Sequence, residues 1–216
     1  MDANSIISRL KKHKNPKNIA GMARFGINPK NTLGISIPFL RTLAKKIGKD
    51  HKLALQLWKT NIHEARLLAG FIGDPKLLTL KEMERLVNDF DSWDICDQVC
   101  SNLFDKTPYA YRKAVQWTKN KKEFVRRAGF VMMACLAVHD KKAPDEKFLC
   151  FFPLIEKYAV DERNFVRKAV NWALRQIGKS RPGMRAKAVS LAKKLAGRES
   201  ASARWIGKDA LRELVN

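Results

Sequence analysis

The stretch Phe124-Val125-Arg126-Arg127-Ala128 is the segment from which the fold is predicted. It returns about 40 positions later as Phe165-Val166-Arg167-Lys168-Ala169, and a weaker copy, Trp205-Ile206-Gly207-Lys208-Asp209, follows at a similar interval. On its N-terminal side lie the related stretches Trp93-Asp94-Ile95-Cys96-Asp97 and Ile62-His63-Glu64-Ala65-Arg66. Self-similarity at about 40 residues is typical of HEAT or armadillo helical repeats. The sequence therefore predicts an all-α protein, a curved α-solenoid of stacked HEAT-like hairpins.

Helix start signals agree with this prediction. Thr79 and Glu82 have the spacing of a capping box, which predicts a helix from about residue 80 to residue 90. Thr107 is expected to be the N-cap of another helix, with Pro108 in its first turn, where a missing N–H costs nothing. Pro144, followed by an aspartate, opens a further helix that runs to about residue 160.

These helices are expected to form two layers. One layer is predicted at 51–60, 80–90, 108–119, 145–159 and 184–197, and the other begins near Ile62, Trp93, Phe124, Phe165 and Trp205. Residues 1–50 add two or three helices, separated by the Gly- and Pro-bearing stretch 26–38, and Gly178 to Gly183 is expected to be a loop. Since a single hairpin cannot bury its apolar face, stacking should give one domain over residues 1–216.

The charge of the chain points to a polyanionic partner. The 43 Lys and Arg residues outnumber the 21 Asp and Glu residues, which gives a net charge of +22. Such an excess opposes compaction, and DNA or RNA is the leading explanation, although a generally basic host proteome is an alternative. With 45% hydrophobic residues, the chain can bury a sizeable core, which excludes global disorder.

Metal, redox and membrane functions have little support. Cys96 and Cys100 are one helical turn apart but belong to no CxxC motif, so all four cysteines, which include Cys135 and Cys150, are expected to be buried reduced thiols. His13, His51, His63 and His139 match no catalytic or metal-binding pattern and are expected to be solvated or structural. No apolar run is long enough for a signal peptide or a membrane span. We expect a cytoplasmic protein that needs no cofactor or metal.

The repeated stretches carry cations at equivalent or neighbouring positions. We refer to these cations as the basic row, and they are Arg66, Arg126, Arg127, Arg167, Lys168 and Lys208. Stacked helices would place them about 10 Å apart, close enough to follow a phosphate backbone. The alternative is that they are solvated helix faces or partners in internal salt bridges. Their recurrence in register, together with the net charge, favours nucleic-acid binding.

One acidic residue and two tryptophans stand next to these cations. Trp93 and Asp97 are four residues apart and share a helix face, so Asp97 either pairs internally with Arg127 or faces a cation from outside. Trp172 lies one turn after Lys168 and could stack on a sugar or a base. For both tryptophans, packing in the core is the other interpretation.

The order of several segments resembles the AlkD-like DNA alkylation repair family, the HEAT-like repeat alkylpurine DNA glycosylases. The segments are Gly34-Ile35-Ser36-Ile37-Pro38-Phe39-Leu40-Arg41, Ser92 to Asp97, Phe124 to Arg127, and Phe165 to Arg175. The resemblance covers roughly residues 20–214. It implies that Trp93, Asp97, Arg127 and Trp172 form the active cleft, and that the glycosidic bond of N3- or N7-alkylated purines is hydrolysed without base flipping. The DNA contacts expected around this cleft are the recurring cations together with one arginine of the last segment: Arg66, Arg126, Arg167, Lys168, Arg175 and Lys208.

The chemistry of an alkylated purine suggests a role for each cleft residue. Ionised Asp97 would stabilise the cationic sugar, Trp93 and Trp172 would flank the deoxyribose, and Arg127 would hold a phosphate. The expected partner is double-stranded DNA, preferably alkylated, bound by a monomer through backbone and shape rather than sequence. Two alternatives are a non-catalytic binder of structured DNA or RNA, and a protein–protein scaffold with an acidic partner.

Overall fold

The computed structural model describes residues 2–215, and these residues form helices connected by short loops, with no strand among them. The α-helices, in chain order, are α1 (Ala3–Lys12), α2 (Pro16–Arg24), α3 (Ile37–Ile47), α4 (His51–Lys59), α5 (His63–Ile72), α6 (Leu80–Asn88), α7 (Trp93–Asn102), α8 (Ala110–Thr118), α9 (Glu123–His139), α10 (Phe152–Tyr158), α11 (Asn164–Ser180), α12 (Arg185–Ala196) and α13 (Ala201–Leu214). Short 3₁₀ turns at Phe104–Lys106, Asp145–Phe151 and Pro182–Met184 precede α8, α10 and α12. The prediction of an all-α protein is confirmed.

Local capping explains where several helices begin. The capping box before α6 is formed as predicted: the Thr79 hydroxyl oxygen accepts the backbone N–H of Glu82, and the Glu82 carboxylate accepts the backbone N–H of Thr79 at 2.9 Å. Before α4, the Asp50 carboxylate accepts the backbone N–H of Leu53 at 2.9 Å. Each cap satisfies a backbone donor that a helix start leaves without an internal partner.

Other boundaries differ from the prediction. Thr107 is not an N-cap, because its hydroxyl donates to the carbonyl of Phe104 at 2.8 Å and closes the 3₁₀ turn before α8. The segment predicted as one helix at 145–159 begins as a 3₁₀ turn, so α10 covers only its second half. The last helix begins four residues before Trp205, after Ser200, whose side chain accepts the backbone N–H of Ala203.

Gly178 does not end a helix, contrary to the prediction of a loop. Helix α11 continues to Ser180, and a Cβ atom at position 178 would lie 2.7 Å from Leu214 Cδ2 and 2.9 Å from Ala188 Cβ. The glycine is therefore required by the close approach of α11 to the last two helices.

The described residues form two compact units that divide between Thr107 and Pro108. In the first unit, α5 packs against α3, α4 and α7, and the core between them includes Leu57, Trp58 and Leu68. In the second unit, α9 and α11 pack against each other, α8 packs on α9, and α13 packs on both α11 and α12. Each unit thus buries the apolar faces of adjacent helical hairpins, as expected for stacked repeats.

An arginine completes the C-terminal end of α9 in the second unit. Arg181 is buried, and its guanidinium donates to the carbonyls of Leu136, Ala137 and Ala143 at 3.0 to 3.2 Å. It also lies over the ring of Phe148, 4.3 Å from the ring centroid. The carbonyls bonded by Arg181 lie at the C-terminal end of α9 and in the loop that follows it, so a residue directly after α11 holds this end of α9 in place.

All four cysteines are free thiols, and their burial is only partly as predicted. Cys96, Cys100 and Cys135 are buried, but Cys150 is exposed because it lies on the outer side of the 3₁₀ turn before α10. Among residues 2–215, no cluster of His, Cys, Asp and Glu has the arrangement of a metal site. No helix in this part of the chain combines the length and hydropathy needed to cross a bilayer.

Candidate nucleic-acid interface

Trp93 and Asp97 lie on the first turns of α7, where the sequence predicted a shared helix face. Both residues are half-buried, so neither belongs wholly to the core. The indole Nε1–H of Trp93 donates to the backbone carbonyl of Phe25 at 3.0 Å. This bond fixes the orientation of the indole against the loop that follows α2.

A pocket of about 700 Å³ opens beside Trp93 within the first unit. It is formed by α2, the loop over residues 25–36 and the N-terminal half of α7. Its apolar lining consists of Met22, Phe25, Ile27, Ile35, Ile37, Leu67 and Trp93. Lys17 and Arg24 also line it, and the side chain of Phe25 is 75% exposed. The size is in the range of ligand-binding pockets, and the combination of aromatic and cationic residues is suited to a nucleotide.

The loop beside this pocket is held by a buried acid that the sequence analysis did not identify. The carboxylate of Glu64, fully buried in α5, accepts the backbone N–H groups of Leu33, Gly34 and Ile35 at 2.8, 2.7 and 3.2 Å. A buried carboxylate is tolerated when it accepts several such bonds. Only the position of Glu64 in the first copy from the N-terminus, next to His63, could have drawn attention to it.

Gly34 fits the same loop because of its backbone conformation. Its φ is +78°, a left-handed value that side chains with a Cβ rarely adopt, and a Cβ atom there would lie 2.3 Å from the carbonyl oxygen of Asn15. The carbonyl of Gly34 accepts the side-chain amide of Asn18 at 2.9 Å. The loop is therefore tied to both α2 and α5.

A second buried acid, Asp94, follows Trp93 in α7. Asp94 accepts the Ser92 hydroxyl at 2.7 Å, and its other oxygen lies 2.7 Å from His63 Nε2. Burial acts to lower the pKa of His63, but the hydrogen bond to Asp94 and the charge of that carboxylate raise it overall. Burial acts to raise the pKa of Asp94, but its bonds to His63 and Ser92 hold it below the ordinary value. His63 is thus a structural group, as expected, and it joins α5 to α7.

Several cations of the predicted basic row contact other residues of their own unit. Arg66 is buried, donates to the carbonyl of Asp89 at 3.2 Å and lies over the ring of Trp58. This contact joins α5 to the loop before α7. The interpretation of Arg66 as an outward-facing phosphate ligand does not fit this burial.

The same pattern holds for the two arginines of α9. Arg126 donates to Asp161 at 2.6 Å and lies over the ring of Tyr158. Arg127 is only 5% exposed and donates to the carbonyl of Phe165 at 2.5 Å. Both side chains therefore hold the start of α11, and the expectation that Arg127 holds a DNA phosphate is at odds with its burial.

Arg167 and Arg175 of α11 likewise contact neighbouring residues of the second unit. Arg167 is half-buried over the ring of Trp205, with its guanidinium carbon 4.8 Å from the ring centroid. Arg175 forms ion pairs with Glu213 and, at 3.7 Å, with Asp209. The alternative in which these recurring arginines make intramolecular contacts is therefore the one found for much of the row.

The two lysines of the row are different. Lys168 on α11 and Lys208 on α13 are exposed, and they occupy equivalent positions in neighbouring copies of the repeat. Because α11 packs on α13, the two lysines lie on neighbouring helices, and the axes of packed helices are typically about 8–10 Å apart. Trp172, one turn after Lys168, is half-buried. Lys168 and Lys208 are therefore accessible to a phosphate.

A basic pocket of about 450 Å³ lies in the first unit and was not predicted. Its lining includes Arg41, Lys45, Lys49 and Lys106, and none of the described residues that line it is acidic. Lys49 donates to the carbonyl of Gly73 at 2.8 Å at the end of α5, and burial followed by the charge of Lys106 lowers the pKa of Lys49. Arg41 belongs to a segment that carries the family resemblance, but no pattern in the sequence predicts that these four cations line one pocket.

Comparison with known proteins relates this chain to a family model and to a solved structure. The family model described as DNA alkylation repair enzyme matches residues 6–214. A solved structure described as belonging to a new family of proteins related to the HEAT-like repeat DNA glycosylases, with affinity for branched DNA structures, superposes with a TM-score of 0.82. The two chains are 20% identical, and the match covers 99% of this chain and 96% of the other. No curated protein matches the sequence. The structural likeness confirms the predicted HEAT-like fold.

Proposed function

Because this chain belongs to the DNA alkylation repair enzyme family, we propose that it binds DNA and hydrolyses the N-glycosidic bond of purines alkylated at N3 or N7. The observation that carries the proposal is the arrangement on α7. A half-buried carboxylate, Asp97, lies one turn after a half-buried indole, Trp93, whose orientation is fixed by the carbonyl of Phe25.

The chemistry of the substrate explains why so few catalytic groups are needed. A purine alkylated at N3 or N7 already carries a positive charge, so it can leave without a general acid. What needs stabilisation is the positive charge that develops on the sugar as the bond breaks. In this proposal, ionised Asp97 provides that stabilisation and orients the attacking water, because an anion in a partly desolvated place acts more strongly than in bulk water. The face of Trp93 favours the same cation and excludes solvent.

The second unit contributes residues whose roles remain predictions from the family resemblance. Trp172 is proposed to contact the deoxyribose. Arg127 is better described as a positioning residue, because its bond to the Phe165 carbonyl holds the start of α11, the helix that carries Trp172. In this proposal, the alkylated base does not need to be extruded into a protein pocket before it leaves.

Binding is proposed to depend on the DNA backbone. The exposed cations Lys168 and Lys208, together with the four cations of the basic pocket, are suited to phosphates. Each neutralised phosphate releases counterions, so affinity should fall steeply with salt, with a slope of about −0.9 per contact.

The experiment that tests catalysis is release of 7-methylguanine from methylated DNA by wild type and by Asp97→Asn. We expect the variant to bind DNA equally or more tightly, since a negative charge is lost, and to release the base at least about 10²-fold more slowly. The exposed Glu162 provides the matched control, because Glu162→Gln removes the same charge in the second unit and should leave release unchanged. Release by Asp97→Asn at the wild-type rate would refute the role of Asp97.

A second candidate is non-catalytic binding of branched DNA. It is favoured by the structural relative, which is described as having affinity for branched DNA, and by the burial of Arg127. Under this alternative, wild type releases no methylated purine at any enzyme concentration but binds a three- or four-way junction more tightly than a linear duplex. Measured purine release by wild type would exclude it.

A further inference from the structure

We propose that the 700 Å³ pocket beside Trp93 receives one unpaired base of a DNA strand. This inference rests on the DNA binding proposed above, but it does not depend on catalysis by Asp97. It assigns a ligand class to a pocket formed by α2, the loop over residues 25–36 and α7.

The walls of the pocket are suited to the face of a base. Phe25 is 75% exposed, which is unusual for a large aromatic side chain in a folded protein. Trp93 also lines the pocket, and its indole N–H is bonded to the Phe25 carbonyl. Because that N–H is satisfied, the ring is presented to the pocket mainly as an apolar surface. Aromatic side chains bind unpaired bases by stacking, and any base can occupy such a place because each has a π face.

The charges around the pocket select a nucleotide over an apolar peptide. Lys17 and Arg24 are exposed cations that line the pocket. Asp94, the acid in the lining, is already bonded to Ser92 and lies 2.7 Å from His63. An apolar peptide would gain nothing from these cations, whereas the phosphates that flank an unpaired base would be attracted by them.

The neighbouring basic pocket extends this argument along α7. Gln98 lines the pocket beside Trp93, and its side-chain oxygen accepts a hydrogen bond at 3.0 Å from Arg41, which lines the basic pocket. From Trp93 to Asn102, which also lines the basic pocket, α7 rises about 13 Å. A strand whose unpaired base occupies the first pocket can therefore place a phosphate of the same strand in the second.

The pocket is also formed in advance of binding. Glu64 holds the backbone of residues 33–35 through three hydrogen bonds, and Asn18 of α2 is bonded to Gly34. Little conformational entropy should be lost when a base enters, because the loop is already ordered.

The test compares binding of a matched duplex with binding of the same duplex carrying one bulged base, at fixed salt. Wild type should prefer the bulged duplex about tenfold, which corresponds to one base stacked on aromatic side chains. Phe25→Ala should lose most of this preference and keep its affinity for the matched duplex, since the carbonyl that holds Trp93 belongs to the backbone. Leu77→Ala is the matched control, because Leu77 is another large exposed apolar residue of the first unit, does not line the pocket, and should leave the preference unchanged.

A second variant controls for a possible effect of Phe25→Ala on folding. Gly21 lies in α2 and lines the pocket, and a Cβ atom at this position would meet nothing within 4 Å. Gly21→Leu should therefore add an apolar side chain to the pocket lining, favour the helix and abolish the preference for the bulged duplex.

The outcomes separate this proposal from the proposed function. The proposal that the pocket binds a base would be overturned if wild type bound both duplexes with equal affinity, or if the preference persisted in Phe25→Ala and Gly21→Leu. In either case, a steep salt dependence of binding would still support the proposed DNA binding. If wild type bound neither duplex, the proposed DNA binding itself would fail, and the pocket proposal with it. Loss of the preference in both variants but not in Leu77→Ala would support the base pocket.

Discussion

The lysines of the basic row are exposed, whereas its arginines contact other residues of the protein. This difference predicts different effects of substituting the two kinds of residue. Lys168→Gln and Arg126→Gln each remove one positive charge from the second unit, and the residues come from equivalent or neighbouring positions of two repeats. Lys168 is exposed, whereas the side chain of Arg126 is 17% exposed and donates to Asp161 at 2.6 Å. Arg126→Gln should therefore lower the stability and leave DNA binding unchanged, whereas Lys168→Gln should weaken DNA binding and leave the stability unchanged.

The magnitudes follow from these contacts. Loss of the charged hydrogen bond of Arg126 should lower the free energy of unfolding by about 2 kcal/mol, while substitution of an exposed lysine should change it by less than about 0.5 kcal/mol. Each lysine that contacts a phosphate contributes about 0.9 to the salt slope, so the double variant Lys168→Gln/Lys208→Gln should reduce the slope by about 1.8. Between about 50 and 200 mM salt, this variant should lose about tenfold less affinity than wild type loses.

The assay is a salt titration of duplex DNA binding, combined with urea unfolding of each variant. Arg126→Gln should keep the wild-type salt slope and unfold at lower urea. An Arg126→Gln protein with wild-type stability and a slope reduced by about 0.9 would show that Arg126 contacts the DNA. An unchanged slope in the double lysine variant would refute the assignment of Lys168 and Lys208 to the interface.

Two further predictions concern the groups that support the pocket beside Trp93. Because the folded-state pKa of His63 is raised, its contribution to stability is fully present below the unfolded value of 6.5 and is lost as pH rises through the folded value. The lowered pKa of Asp94 gives a contribution that is present above its unfolded value of 3.8 and is lost as pH falls through the folded value. The free energy of unfolding from urea titrations should therefore decline from about pH 6 to pH 9 more in wild type than in His63→Gln, and equal declines would contradict the raised pKa. Gly34→Ala should lower the free energy of unfolding by at least about 2 kcal/mol more than Gly48→Ala in the same assay. Both glycines have a positive φ, but a Cβ atom meets Asn15 only at position 34. Equal losses of stability would show that the loop can shift.

Features that depend on residues close together in the chain could be predicted from the sequence. The capping box of Thr79 and Glu82 involves residues three positions apart, and its helix begins where predicted. Trp93 and Asp97 share a face of α7 because four residues make about one helical turn. The all-α class followed from the same local spacing and from the repeat period.

Features that depend on distant partners could not be predicted. Gly178 looked like a helix end, but it is a place where α11 approaches Leu214 and Ala188 closely. Thr107 looked like an N-cap, but the preceding 3₁₀ turn provides a better partner for its hydroxyl. Glu64 carried no sequence signal, because the three amides that it binds lie about 30 residues earlier in the chain.

By itself, the sequence determined the helical repeat, the excess of positive charge and the pairing of an indole with a carboxylate on α7, because these are properties of composition and of short-range spacing. Only the tertiary structure decided which cations are available to a ligand. Arg126 and Lys168 come from almost the same position of the repeat, but one has a carboxylate 35 residues away within hydrogen-bond distance and the other faces solvent. A charge that is desolvated and paired in the folded protein cannot also bind a phosphate, and that pairing exists only once the repeats have packed together.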